Sequence, residues 1–160
     1  MLGGLCGTIS WVVAPGRIRN IGAANFIKFG ELDNRRSERA ERLRQLFEKA
    51  GVNVDIPSDI HKAMWEKFLL VTPFGGVCAV SRAPIGIMRT VPETRLLLEQ
   101  CMQEVSAVAR ASHVQLSDTV VADTMKFIDT LAASATTSLQ RDIAEESQVK
   151  SISGTVRWCG

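Results

Sequence analysis

Two periodicities divide the chain. Up to about residue 30 the apolar positions alternate with polar ones or sit in short β-branched runs. These are Thr8-Ile9-Ser10-Trp11-Val12-Val13, then Arg17-Ile18-Arg19-Asn20-Ile21, then Phe26-Ile27-Lys28-Phe29. Such runs predict strands, and Pro15-Gly16 between the first two predicts a tight turn. The pattern reads as a small antiparallel β-meander, with Gly3, Gly4 and Gly7 marking a loop or a tight approach before it. A sheet of this size with one apolar face needs cover from helices or from a neighbouring chain.

From Glu31 onward the period becomes helical. Asp33 or Asn34 is placed to cap a helix running through Lys49 and ending at Ala50-Gly51, with glycine at C′. Its inner stripe is Leu43, Leu46, Phe47 and Ala50. The arginines at 35, 36, 39, 42 and 44 interleave with Glu38, Glu41 and Glu48, as on a solvated face. Asn53-Val54-Asp55-Ile56-Pro57 reads as an extended connector, and Ser58 as the cap of an apolar helix through Trp65 to Gly75-Gly76 or beyond. Pro84-Ile85-Gly86 breaks the chain. Pro92 then opens a helix to about Ser112 that turns Leu97, Leu98, Cys101, Met102, Val105, Val108 and Ala109 inward. Ser117-Asp118 opens another, with Val120, Val121, Thr124, Met125, Phe127, Ile128 and Leu131 inside. A small-residue loop at 132–137 and helical pieces over about 138–146 and 148–158 complete the chain. The fold class expected is mainly α, with a β-meander over 1–33 and an all-helical domain over 34–160.

Composition narrows the function classes. With 160 residues, 46% hydrophobic and 22% charged, disorder, collagen-like repeats and coiled-coil rods are excluded. A net charge of +2, no Tyr and 6% aromatics give neither the electrostatics nor the stacking platform of a nucleic-acid binder. Four cysteines without a Cys-x-x-Cys pair, and two histidines, do not make a zinc site. They suit free thiols in a reducing compartment. No run of apolar residues approaches the ~20 of a membrane span. The apolar start lacks the basic residues of a signal peptide. A cytoplasmic protein with no membrane partner is expected.

One residue breaks the pattern. On a helical wheel from Ser58, the residues Asp59, Lys62 and Glu66 share a polar face. Lys67 falls instead among Ile60, Ala63, Met64 and Val71. An ammonium there costs several kcal/mol unless it is paired or reaches a wet cleft. Either it snorkels to solvent, or it serves a cleft in which its charge acts on an anionic or carbonyl substrate.

Four segments in order, Trp65-Glu66-Lys67-Phe68, Ala79-Val80-Ser81-Arg82-Ala83-Pro84-Ile85-Gly86, Pro92-Glu93-Thr94-Arg95 and Ala135-Thr136-Thr137-Ser138-Leu139-Gln140-Arg141-Asp142, resemble the ketopantoate reductase (2-dehydropantoate 2-reductase) family. Gly3-Gly4, Pro15-Gly16-Arg17-Ile18 and Phe29-Gly30-Glu31 resemble the last strands of that family's nucleotide-binding domain. The resemblance implies a helical domain of the 6-phosphogluconate dehydrogenase C-terminal type, and a reductase that uses NADPH to convert a 2-oxo acid to a 2-hydroxy acid in pantothenate biosynthesis. It implies that Lys67 is catalytic, contacting the substrate carbonyl or hydroxyl oxygen. It also implies that Ser138, with Thr137 beside it, holds the substrate carboxylate.

The chain departs from the family at three points. No Gly-x-Gly-x-x-Gly occurs, and Gly3-Gly4-Leu5-Cys6-Gly7 has the wrong spacing for a phosphate-binding turn. The family's active-site glutamate aligns with Gln148, another candidate substrate-binding residue, and an asparagine one turn after the lysine is Val71. No cofactor is therefore expected on this chain alone, and the nicotinamide would come with a separate Rossmann-domain chain. The expected state is a homodimer. The alternative function is a non-catalytic helical homo-oligomerisation module derived from the enzyme. A third reading, anion or nucleic-acid binding through the arginines at 35–44, is opposed by the interleaved glutamates.

Overall fold

The structure is a computed structural model and describes residues 1–20 and 25–144. Its elements, in order, are β1 (Leu2–Gly7), β2 (Ser10–Ala14), β3 (Arg17–Asn20), β4 (Phe26–Glu31), α1 (Glu38–Lys49), β5 (Asn53–Asp55), α2 (Ile60–Ser81), α3 (Ile85–Thr90), α4 (Pro92–Ala111), α5 (Val120–Thr130) and α6 (Ser138–Ala144). The chain forms two compact units, Met1–Lys67 and Phe68–Gly160, divided within α2. The mainly helical class with a few short strands is as expected. The helix expected at 148–158 lies outside the described residues.

In the first unit the strands do not form a meander. β2 and β3 pair as a separate hairpin around Pro15-Gly16, with Gly16 at φ 71°, the turn that the dipeptide announces. The main sheet has the order β1-β4-β5, with β1 antiparallel and β5 parallel to β4. The segment read as a loop before the sheet is therefore strand β1. Its glycines are sites of close approach: a Cβ on Gly7 would stand 2.2 Å from the Phe26 ring, and one on Gly3 would stand 2.8 Å from Leu32. The connector 53–55 is β5, only three residues long. It is joined to β4 through α1 because a parallel neighbour needs a crossover, here a helix.

Helix α1 starts later than expected. Ser37 caps it, its hydroxyl accepting the Ala40 amide at 3.2 Å. Asn34 sits at φ 58° and serves α2 instead, accepting the Ile60 amide at 3.0 Å. Asp59 rather than Ser58 caps α2, accepting the Lys62 amide at 3.0 Å. At the other end of α1, Gly51 (φ 73°) closes a Schellman motif, with Val52 N–H on the Phe47 carbonyl and Gly51 N–H on that of Glu48. Ala40 is buried and Phe47 meets Phe29 at 6.0 Å between ring centroids, whereas Leu46 faces solvent, contrary to the predicted stripe.

The basic face of α1 also differs from a purely solvated one. Glu31, at the end of β4, is buried at 2% exposure, and Arg39 grips it with two bonds of 2.6 and 2.5 Å while Ser37 donates at 2.7 Å. Arg39, aided by Ser37, holds the Glu31 carboxyl at about 2, well below the usual carboxylate range. A carboxylate depressed in the folded state contributes stability above its unfolded value, and that stability is lost as pH falls toward 2. Acid titration of the melting temperature should therefore show a limb between about pH 4.5 and pH 2 that Glu31→Gln flattens. An unchanged acid limb in that variant would show that the pair does not act this way. Arg39→Ala should lower the melting temperature at neutral pH, because the buried carboxylate loses its main partner.

Helix α2 runs on past Gly75-Gly76 and through Pro73 to Ser81. At 22 residues, with an 18-residue stretch of mean hydropathy 1.2, it has the length and composition of a membrane span, against the expectation that no segment would. A core helix passes the same test, and α2 is buried on several sides: Ile60, Ala63 and Trp65 in the first unit, and Leu69, Val77, Cys78 and Ala79 in the second.

In the second unit, Leu69, Ile85, Met88, Leu98, Met102 and Ile128 form the centre of the core, each at 1% exposure or less. Pro92 occupies the first turn of α4 as expected. Thr119, not Ser117-Asp118, precedes α5, although the Ser117 hydroxyl accepts the Thr119 amide. Leu97, Val108 and Phe127 are exposed, against their predicted burial. The apolar residues of α4 cover a wider arc than Leu98, Met102, Ser106 and Ala109, the side that is buried.

Candidate functional site

Lys67 stands two turns into α2, on the sector shared by Ile60 (0% exposed) and Ala63 (9% exposed). The side chain is half-buried, while Val71, one turn on, turns outward at 46% exposure. The stripe inferred from the wheel is thus apolar up to the lysine and opens after it. The amine does not extend freely into solvent. Its Nζ donates to the carbonyl oxygen of Cys6 on β1, a strand held in register by pairing Cys6 with Ile27.

An ammonium has three N–H donors, and a backbone carbonyl occupies one without neutralising the charge. Among the described residues no carboxylate forms an ion pair with Lys67, whereas Lys28, Lys126 and Arg95 all have acidic partners. Chemically, this is a positive charge anchored at one point with donors to spare. That is what a carbonyl oxygen gaining negative charge requires.

Thr137 and Ser138 belong to the second unit, so the structure places the candidates in two units. The loop 132–137 leads into α6. The Thr137 hydroxyl accepts the Gln140 amide at 3.1 Å and is therefore the helix cap. Ser138, the first residue of α6, is exposed, and its hydroxyl has no hydrogen-bond partner among the described residues. The competing role for Ser138, that of a cap, is taken by its neighbour. Gln148 lies outside the described residues.

The loop itself is fastened at several points. Ile85 and Gly86 donate their amides to the carbonyls of Ala135 and Ala133, at 3.1 and 2.9 Å. Arg141 donates to Thr136, at 3.1 Å to the carbonyl and 2.9 Å to the hydroxyl. Sequence reasoning missed these fastenings and the role of the Cys6 carbonyl. Backbone acceptors carry no residue-type signal. The only legible hint was a glycine at 86 and a run of small side chains from Ala132 to Ala135.

Three of the arginines of α1 and its approach are occupied within the unit. Arg35 pairs with Asp33, Arg39 with Glu31, and Arg44 with both Glu41 and Glu48. A cavity of about 150 Å³ lined by Asn34, Arg35, Arg36, Ile56 and Ser58 includes neither Lys67 nor Ser138.

Comparison with known proteins bears on the whole chain. The 2-dehydropantoate 2-reductase of Nostoc sp. (strain PCC 7120 / SAG 25.82 / UTEX 2576) is 27% identical over 126 residues, covering 76% of this chain and 39% of the relative. The crystal structure of 2-dehydropantoate 2-reductase from Geobacter metallireducens GS-15 superposes with a TM-score of 0.83 at 30% identity, covering 91% of this chain and 48% of that one. A dimeric ketopantoate reductase from Staphylococcus aureus shares the fold with a TM-score of 0.82 at 18% identity, over 92% of this chain and 49% of that one. The chain thus spans about half the length of the relatives it matches. Residues 59–156 match the family model for ketopantoate reductase PanE/ApbA C terminal, and the chain belongs to that family.

Proposed function

We propose that this chain is the substrate-side part of a ketopantoate-reductase-like oxidoreductase that reduces a 2-oxo acid to a 2-hydroxy acid with NADPH. In this reading residues 34–160 are the substrate domain and residues 1–33 complete a nucleotide-binding domain. The observation that carries the proposal is Lys67: a half-buried ammonium, tied to the Cys6 carbonyl and without an acidic partner among the described residues. Held against the substrate's keto oxygen, it stabilises the alkoxide and can donate a proton to it. The free Ser138 hydroxyl donates to the carboxylate, and Thr137 fixes the start of α6 beneath it. Gln148 would meet the substrate with an amide where the family has a glutamate, keeping hydrogen bonds without charge.

NADPH does not fit the residues present. The glycines nearest to a dinucleotide fingerprint lie in β1, paired along its length with β4 and packed against Phe26 and Leu32, and β1 opens no helix. The nicotinamide would have to be held by residues outside this sequence, in a further segment or a separate chain. The chain alone should give no fall in NADPH absorbance with ketopantoate, and adding the nucleotide-binding half of a relative should restore it. Turnover by the chain alone would overturn the division of labour, and silence of every such pairing would overturn the catalytic reading. A cytoplasmic setting suits the free thiols of Cys6, Cys78 and Cys101.

A second reading, a homo-oligomerising module, is favoured by one feature. The β2–β3 hairpin and its approach expose Ile9, Val12, Val13 and Ile18, the last at 73%. A two-stranded ribbon is marginal on its own, and covering this surface with a second copy would stabilise it. Light scattering should then report a dimer that Val12→Lys weakens; a monomer at high concentration would count against self-association.

A further inference from the structure

We infer that Gly86, by lacking a side chain, sets where the Ser138 hydroxyl stands, and so acts as a positioning residue for the anionic end of the substrate. The inference rests on the reading of Ser138 as a carboxylate-holding group. It starts from the two amides at the beginning of α3. The first N–H groups of a helix have no acceptor within it. Here those of Ile85 and Gly86 find theirs across the unit, on Ala135 at 3.1 Å and Ala133 at 2.9 Å. The loop, itself a tight turn closed by the Ala135 amide on the Ala132 carbonyl at 2.9 Å, is thereby docked against the first turn of α3.

That docking demands glycine. A Cβ on residue 86 would stand 2.7 Å from the Ala133 Cβ, 2.8 Å from its carbonyl oxygen and 2.9 Å from its Cα. Two of these three atoms are backbone, so no rotamer change relieves the overlap. Restoring ordinary contact requires the loop to move on the order of 1 Å. The rest of the segment cannot absorb such a shift freely. Upstream, Arg89 donates to the carbonyls of Ile128, Asp129 and Leu131 at 3.2, 3.0 and 2.7 Å, fixing the end of α5. Downstream, Arg141 holds Thr136 and the Thr137 cap begins α6. Ala135, Thr136 and Thr137 are each bonded, and Ser138 follows directly. A displacement at Ala133 therefore arrives at the serine.

A double-mutant cycle tests this in the protein assayed with its nucleotide-binding half. Ser138→Ala should raise KM for the 2-oxo acid about tenfold with kcat nearly unchanged, and Gly86→Ala should raise it by a similar factor. The combined variant should be no worse than Ser138→Ala alone, because Gly86 acts through that hydroxyl. Additive effects, or an unchanged KM in Gly86→Ala beside a raised one in Ser138→Ala, overturn the inference. An unchanged KM in Ser138→Ala instead overturns the reading of Ser138, and this inference with it. Amide hydrogen exchange on the chain alone gives a readout that needs no activity. Gly86→Ala should speed exchange over 132–140 and leave the α4 amides of Leu98 and Met102 protected. No change over 132–140, or equal loss of protection in α4, overturns the positioning role.

Discussion

Lys67→Ala, assayed with the nucleotide-binding half supplied, should turn over a 2-oxo acid about 10²–10⁴-fold more slowly than the unsubstituted chain. The carbonyl oxygen is only partly negative in the bound substrate and approaches a full charge as it becomes an alkoxide. A cation at hydrogen-bond distance therefore stabilises the transition state more than the ground state. The expected factor corresponds to about 3–5 kcal/mol of barrier. Stability should change little, since among the described residues the side chain is bonded only to the Cys6 carbonyl, on an exposed strand residue. Losing one such bond is worth about 0.5–1.5 kcal/mol. Lys67→Met, which keeps the stem, should be as inactive as the alanine variant, and a small alkylammonium ion in the assay should recover part of the rate. If the alanine variant turns over within a factor of about two of the parent, or if its loss follows a fallen melting temperature, the amine has no chemical role.

That lysine was the most legible part of the candidate site, and the reason is geometric. Helical periodicity is rigid enough to place residue 67 beside Ile60 and Ala63 without coordinates, and both proved buried. The acceptor for its amine was not legible. Cys6 offers a main-chain oxygen, and its position depends on β1 pairing with β4 some twenty residues away in sequence. Ser138 and Thr137 were likewise visible as hydroxyls near a helix start. Which of them caps the helix follows from local backbone geometry, which assigns the capping bond to Thr137 and leaves Ser138 uncommitted.

The fold shows the same division. Elements governed by local chemistry were read correctly: the Pro15-Gly16 turn, the Gly51 terminus of α1 and the Pro92 start of α4. Elements governed by partners elsewhere in the chain were not. β1 is rich in glycine because Phe26, Leu32 and Met64 lie against it, and glycine argues against a strand when those neighbours are unknown. β5 is three residues of a parallel ladder, too short for any alternation to show. Arg39 looked like its neighbours on a charged helix because nothing near it in sequence reveals that Glu31 is buried beneath. The exposed Leu97, Val108 and Phe127 mark the converse limit: periodicity finds apolar faces without saying which of two adjacent ones is covered.

Trp65→Ala should be the most destabilising single change in the first unit, at about 3–5 kcal/mol. The indole is 8% exposed and lies on a different side of α2 from Ile60 and Ala63, so the helix is gripped on more than one face. Its removal deletes the largest side chain available to that packing and leaves a cavity that a helix fixed on its other side cannot close by shifting. Against a total stability of about 5–15 kcal/mol, this is a large fraction. For a chain of this size it corresponds to a fall of roughly 6–20 °C in melting temperature. Trp65→Phe, which retains an aromatic ring, should recover much of the loss. Because Lys67 is only two residues further along the same helix, Trp65→Ala should also reduce turnover in the reconstituted assay. Here the loss should shrink as the temperature is lowered and the folded fraction recovers, whereas the defect of Lys67→Ala should persist. A melting temperature for Trp65→Ala within about 2 °C of the parent, at the scale where 1 kcal/mol moves it by 2–4 °C, would mean that α2 is not held through this residue.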